Sequence, residues 1–240
     1  MINTILFDLD GTLLPMNAEL FTKSYFQAIC NKCKHIIDPK KLTESIMLST
    51  EYMIRNKDMS KTNMELFMED FKTRIPVKLE EILPVLEDFY IHEFNEIKTG
   101  AEPNSIIQDI VQKLKIKGYH MVVATNPLFP RQAILHRIHW AGLNVEDFLL
   151  ITDYEAMHFC KPNIEYYQEI LTIIEKKPQE CLMVGNDVQE DLIASQLGIK
   201  TFLLTEHMIH RESKEPNADY MGNYIDLLKF ASDLPNLKKE

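Results

Sequence analysis

Ile2 to Phe7 is a short apolar run rich in β-formers, which predicts a buried strand. The period then changes. Leu20, Phe21, Phe26, Ile29, Cys30 and Ile36 recur at helical spacing over residues 18–37, until Asp38-Pro39 breaks the pattern. Leu42, Ile46, Met47, Met53 and Ile54 predict a second helix, residues 64–74 a third, and 79–97 a fourth whose main part starts at Pro84. No strand pattern appears from 16 to 98. From Gly100 onward strand and helix alternate: helix 104–117 stopped by Gly118, strand 119–124, helix 131–141 closed by Gly142, strand 148–152, helix 164–176, strand 181–184, helix 188–197 closed by Gly198, and strand 200–204.

Strands alternating with crossover helices predict an α/β fold with a doubly wound parallel sheet. The first strand is separated from the others by an all-helical insertion. The expected organisation is a discontinuous core, residues 1–15 and 99–240, with a helical cap over 16–98 and hinges near Pro15 and Gly100. Lys238-Lys239-Glu240 reads as a solvated tail.

Composition narrows the function classes. With 240 residues, 45% hydrophobic and 26% charged, the chain can bury a sizeable core. A net charge of −10 argues against long nucleic acids and anionic membrane surfaces as partners. No run of 18 apolar residues suggests a membrane span. A cleavable leader is not expected either, because the first strand begins almost at residue 2, and a cytoplasmic location follows. Four cysteines fit a reducing compartment. Cys30 and Cys33 share a helix face and lack the further ligands that zinc needs. No heptad run or exposed apolar stripe is evident, so a monomer is expected.

The candidate chemistry sits where strands end. Asp8 and Asp10 follow the first strand two residues apart, so they face one side. Gly11 lets the chain turn away and Thr12 braces that turn. Paired carboxylates call for a divalent cation, and hard oxygen donors suit Mg²⁺. One acid can then act as nucleophile and the other as acid/base. Ligands of such sheets bind beyond the carboxyl ends of the strands, and further polar residues occur there: Thr125 and Asn126, then Asp187. Lys161, before Pro162, would balance the acids and hold a phosphate oxygen. Asp187 and Asp191, one helical turn apart, share one side of a helix start.

Together these segments resemble the four motifs of the haloacid dehalogenase-like (HAD) hydrolase superfamily. Asp8-Leu9-Asp10-Gly11-Thr12 is similar to the first, Thr125-Asn126 to the second, Lys161-Pro162 to the third, and Gly185-Asn186-Asp187 with Asp191 to the fourth. The insertion between the first two resembles the C1-type cap of the phosphoglycolate phosphatase-like branch. Lys161 stands only 35 positions after Asn126, too close for the larger cap some relatives carry there.

The resemblance implies a Mg²⁺-dependent phosphatase acting on a small phosphorylated metabolite through an aspartyl-phosphate. Asp8 would attack phosphorus, and Asp10 would protonate the leaving alcohol and then deprotonate water. Mg²⁺ would be held by the Asp8 carboxylate, the Asp10 carbonyl and Asp187. Thr125, Asn126 and Lys161 would grip the phosphoryl group, with Asn186 and Asp191 supporting. Many relatives carry an acid where Asn186 stands. Dehalogenases of the superfamily lack the second aspartate, so Asp10 favours phosphate esters. A phosphomutase of the β-phosphoglucomutase type shares these motifs and is the nearest alternative; a catalytically silent binding protein on the same fold is another. Arg55-Asn56-Lys57 could present a cation to an anionic substrate.

Overall fold

A computed structural model describes residues 1–98 and 100–238. Residue 99, where the second expected core segment begins, and the tail end Lys239-Glu240 lie outside the described residues.

Six strands form one sheet: β1 (Thr4–Phe7), β2 (His120–Val123), β3 (Leu150–Ile151), β4 (Cys181–Gly185), β5 (Lys200–Leu204) and β6 (Tyr220–Gly222). Their order is β3-β2-β1-β4-β5-β6, and every pairing is parallel. This is the doubly wound α/β sheet the alternating pattern predicts. Phe7 lies opposite Val123 on one side and Val184 on the other. Asp8 and Ala124 therefore leave the sheet level with each other, beside Gly185.

Alternation along the strands splits the core into two faces. Ile5, Phe7, Met121, Val123, Leu182 and Val184 pack under α5 (Ser105–Lys117), α6 (Arg131–Trp140) and α8 (Tyr224–Asp233). Leu6, Val122, Ala124 and Met183 face the other way, against Tyr166, Tyr167 and Ile170 of α7 (Ile164–Ile173). Both faces are covered, which is why these strands are nearly continuously apolar.

Between β1 and α5 stand α1 (Ala18–Cys33), α2 (Pro39–Arg55), α3 (Asn63–Arg74) and α4 (Leu79–Asp88). Their starts follow local chemistry: Asn17 accepts from the Leu20 N–H, Asp38 from the Lys41 N–H with Pro39 opening the helix, and Thr62 and Glu65 form a capping box. Two chain crossings join these helices to the sheet. The Asn17 N–H donates to the Gly100 carbonyl at 3.0 Å, and the Glu102 N–H to the Pro15 carbonyl at 3.2 Å. Among the described residues, no helix is long and apolar enough to cross a membrane.

Several boundaries depart from expectation. The first helix ends at Cys33 rather than 37. Pro84 lies inside α4, which already begins at Leu79. Pro84 and Glu80 are both exposed, so water can satisfy the carbonyl that the missing N–H leaves free. Beyond α4 the chain runs through a π turn, Phe89–Glu93, and a 3₁₀ turn, Phe94–Glu96, instead of one helix to 97. Residues 188–197 make no α-helix, only a 3₁₀ segment at Leu192–Leu197. The stretch opens with an Asp-capped turn. Asp187 Oδ1 accepts from the Gln189 and Glu190 N–H groups at 3.0 Å each, and Asp191 Oδ2 takes the Asp187 N–H at 2.9 Å. β6 and α8 are additions beyond the last predicted strand.

Candidate active site

Asp8 remains in the sheet, its N–H donating to the Val184 carbonyl at 2.9 Å. The chain then turns at Gly11, whose φ is +85°. That turn is tied down from two directions. Thr12 Oγ1 donates to Asn186 Oδ1 at 3.0 Å, and the Tyr224 hydroxyl donates to the Gly11 carbonyl at 3.2 Å. Thr12 thus braces the turn as its position predicts, through Asn186 at the end of β4.

Lys161 is the electrostatic centre. Only 1% exposed, it donates through Nζ to Asp8 Oδ1 at 2.8 Å and to Asp191 Oδ1 at 2.7 Å. Burial raises Asp8 to about 6, against the lowering pull of Lys161, and burial likewise raises Asp191 to about 6. Burial works against the Lys161 charge, but Asp191 and Asp8 outweigh it and hold the ammonium well above its ordinary value. One ammonium serves two buried carboxylates, so removing Lys161 would leave both acids buried without a cation.

Asn126 ties two loops together. Its Oδ1 accepts from the Lys161 N–H at 3.1 Å, and its Nδ2 donates to the Lys161 carbonyl at 3.3 Å and to Glu190 Oε2 at 3.0 Å. Thr125 is buried, and its carbonyl accepts from the Thr152 and Tyr166 hydroxyls at 2.7 Å each. The peptide bond Lys161–Pro162 is cis.

Asp10 is held apart from this network. Its Oδ2 accepts from Arg137 Nη1, while its Oδ1 is buried without a partner among the described residues, as is Arg137 Nη2. Burial raises Asp10 above the usual carboxylate value, with Arg137 opposing. Asp187 is gripped by Arg211, Nη1 to Oδ1 at 2.8 Å and Nη2 to Oδ2 at 2.6 Å.

Whether Mg²⁺ fits turns on the oxygen donors. The donors of Asp8, Asp10 and Asp187 are hard oxygens. Asp8 has one oxygen on Lys161, and Asp10 keeps an unpartnered buried oxygen. These suit a divalent cation in kind. Asp187 has both oxygens on Arg211, which competes with any cation there. Among the described residues no group of three or more His, Cys, Asp and Glu side chains is arranged for a metal. The expected set uses only two carboxylates plus the Asp10 carbonyl, so it does not require one.

All eight predicted site residues gather at the carboxyl edge of β1, β2 and β4. Three others went unnoticed in the sequence. Arg137 left a signal: it is a lone cation on the buried face of α6, beside Ala133, Ile134 and Trp140. Glu190 stands between two acids that were noticed, and burial raises it. Arg211 lies in a loop with no motif. The cations at 55 and 57 point elsewhere, Arg55 to Glu51 and Lys57 Nζ to Glu165 at 2.8 Å.

The family model described as "haloacid dehalogenase-like hydrolase" matches residues 2–198. The chain belongs to that family. It is an enzyme, a hydrolase. It is 28% identical over 236 residues to the pyrophosphatase PpaX of Bacillus cereus (strain ATCC 10987 / NRS 248), covering 97% of this chain and 98% of that one. Two solved structures share the fold. A HAD phosphatase from Thermococcus onnurineus has TM-score 0.61 at 18% identity, covering 98% and 100% of the two chains. An L-2-haloacid dehalogenase from Xanthobacter autotrophicus has TM-score 0.61 at 12% identity, with the same coverage. Equal likeness to a phosphatase and a dehalogenase means the HAD fold leaves the reaction to the side chains.

Proposed function

We propose that the chain is a Mg²⁺-dependent phosphomonoesterase working through an aspartyl-phosphate on Asp8, with residues 16–98 as its cap. The observation that carries this reading is the buried Lys161 bridging Asp8 and Asp191, with a second acid, Asp10, two residues beyond the nucleophile. A halide leaves without a proton, whereas an alkoxide needs one. Asp10 supplies a group for that need, which favours an ester over a haloacid. The pyrophosphatase relative PpaX, by its name, also acts on a phosphorylated compound rather than a haloacid.

In the first step an Asp8 oxygen forms a bond to phosphorus, and the phosphorus–oxygen bond of the ester breaks. The departing oxygen keeps the electron pair and takes a proton from the Asp10 carboxyl. In the second, the Asp10 carboxylate takes a proton from water while the water oxygen bonds to phosphorus. The Asp8–phosphorus bond breaks, releasing phosphate and restoring Asp8. Lys161, the Thr125 hydroxyl and the Asn126 N–H would hold the phosphoryl oxygens; preorganised donors of this kind are each worth about 3–4 kcal/mol. Asp8, the Asp10 carbonyl and Asp187 would hold Mg²⁺, which offsets charge between nucleophile and phosphate. Asn186 braces Thr12, and Asp191 positions Lys161. A cap closing over this edge would exclude water and select the leaving group.

The test is phosphate release from a panel of phosphorylated metabolites, with Mg²⁺ and with EDTA, for wild type and Asp8→Asn. Release that needs Mg²⁺ and disappears in Asp8→Asn supports the reading. Isomerisation of a sugar phosphate without release replaces it with a phosphomutase. No turnover of either kind defeats it.

A further inference from the structure

The helices of the cap enclose a cavity of about 760 Å³, large enough for a drug-sized molecule. Its walls are largely aromatic and aliphatic. Phe21, Tyr25, Phe67 and Tyr90 come from the cap, while Phe129 and Tyr154 come from the loops after β2 and β3. Those loops leave the same sheet edge that carries Asp8 and Asp10. Leu128 and Phe129 follow Asn126 closely, and the Leu128 N–H donates to the Asn126 carbonyl at 2.8 Å. The Phe129 ring also lies 4.6 Å from the guanidinium carbon of Arg137, the cation that holds Asp10. The loop after β2 thus runs from Thr125 and Asn126 at that edge into the cavity wall, while Asp8, Asp10 and Lys161 do not themselves line the cavity.

The charges in the cavity are all of one sign. Glu51, Glu87 and Glu155 line it, and among the described residues no Lys, Arg or His does. The nearby cations are engaged. Arg55 pairs with Glu51, Lys61 with Glu69, Arg74 with Asp70, and Arg137 with Asp10. Glu51 is offset by Arg55, whereas Glu87 and Glu155 have no ion-pair partner among the described residues, so a leaving group bearing a carboxylate or a second phosphate would meet no free cation and two uncompensated acids.

We propose that the cap cavity selects phosphomonoesters whose leaving group is a bulky, ring-bearing apolar alcohol with no negative charge. This rests on the phosphomonoesterase reading, and it sets the chain apart from a pyrophosphatase or a phosphoglycolate phosphatase. Rings gain from edge-to-face contacts with the aromatic walls, while the phosphoryl group stays at Lys161.

The experiment compares 2-naphthyl phosphate with phosphoglycolate and pyrophosphate at pH 8. Two quantities are measured: kcat/KM for phosphate release by wild type with Mg²⁺, and Kd by calorimetry on Asp8→Asn, which binds without turnover. The expected result is at least a tenfold higher kcat/KM and tenfold tighter binding for 2-naphthyl phosphate. The double variant Glu51→Lys/Glu87→Lys, changed at two exposed rim positions, should narrow both ratios at least threefold. Equal or better use of phosphoglycolate or pyrophosphate by wild type overturns the proposal while leaving the phosphomonoesterase reading intact. If no compound releases phosphate, that reading fails, and the calorimetric ranking alone decides the cavity's preference.

Discussion

Arg137 donates through Nη1 to the Asp10 carboxylate, so a cation from α6, 1% exposed, fixes the second acid of the first motif. Arg137 Nη2 and Asp10 Oδ1 are both buried and have no partner among the described residues, so the pair makes only part of the hydrogen bonding its groups allow. Arg137→Met should lower kcat at least tenfold, by leaving Asp10 free to leave its productive orientation. Arg137→Lys should recover part of the loss, since it restores the charge without the planar fork. Steady-state phosphate release for the two variants checks this, with circular dichroism to confirm folding.

Lys161 should matter to stability as well as catalysis. Lys161→Met leaves Asp8 and Asp191 buried without their cation, and removing one partner of such a set costs about 3–5 kcal/mol. Adding Asp191→Asn should recover part of that stability without restoring activity. Urea unfolding of the three proteins measures the effect, and a lysine variant as stable as wild type would contradict the assignment.

Gly11 combines a left-handed backbone with a close neighbour. A Cβ built there would stand 2.3 Å from Asn186 Nδ2. Gly11→Ala should therefore destabilise by about 1–3 kcal/mol and depress turnover, because the turn sets where Asp10 points. Adding Asn186→Ala should relieve the contact but not the backbone strain, giving partial recovery in a thermal melt.

Glu155 gives stability a pH dependence that can be isolated. Burial lifts its carboxyl from 4.5 to about 7, although it accepts the Arg131 N–H at 2.9 and 3.1 Å. The folded state thus holds the proton more tightly than the unfolded chain. This contribution is fully present below about pH 4.5, is lost as pH rises through about 7, and is flat above. Glu155→Gln keeps an acceptor for Arg131 and removes the ionisation. Relative to wild type it should gain about 1–2 kcal/mol between pH 5 and pH 8, a figure discounted for partial exposure. Melts at the two pH values measure this difference.

The fold was largely legible because strand and helix leave different periods. Each apolar run of four or five residues became a strand, and the strand ends carried the acids, Thr125 and Asn126. Helical continuity was not kept over 188–197. Asp187 caps the start by accepting from the Gln189 and Glu190 N–H groups, but the chain continues only as a 3₁₀ segment at Leu192–Leu197. β6 was missed because three partly exposed residues at a sheet edge carry almost no period.

Chain order alone carries the motifs, because candidate site residues at strand ends are placed by the local strand-turn geometry that precedes them. The pairing of Lys161 with Asp8 needed only the expectation that both reach one edge. Chain order does not carry partners brought in by packing. Arg137 meets Asp10 across 127 positions because α6 lies under the sheet face beside β1. Arg211 meets Asp187 because a loop folds back along the carboxyl edge. The cavity among the inserted helices belongs to the same class: its sign and its aromatic walls are set by four helices and two loops meeting in space, which no spacing along the chain encodes.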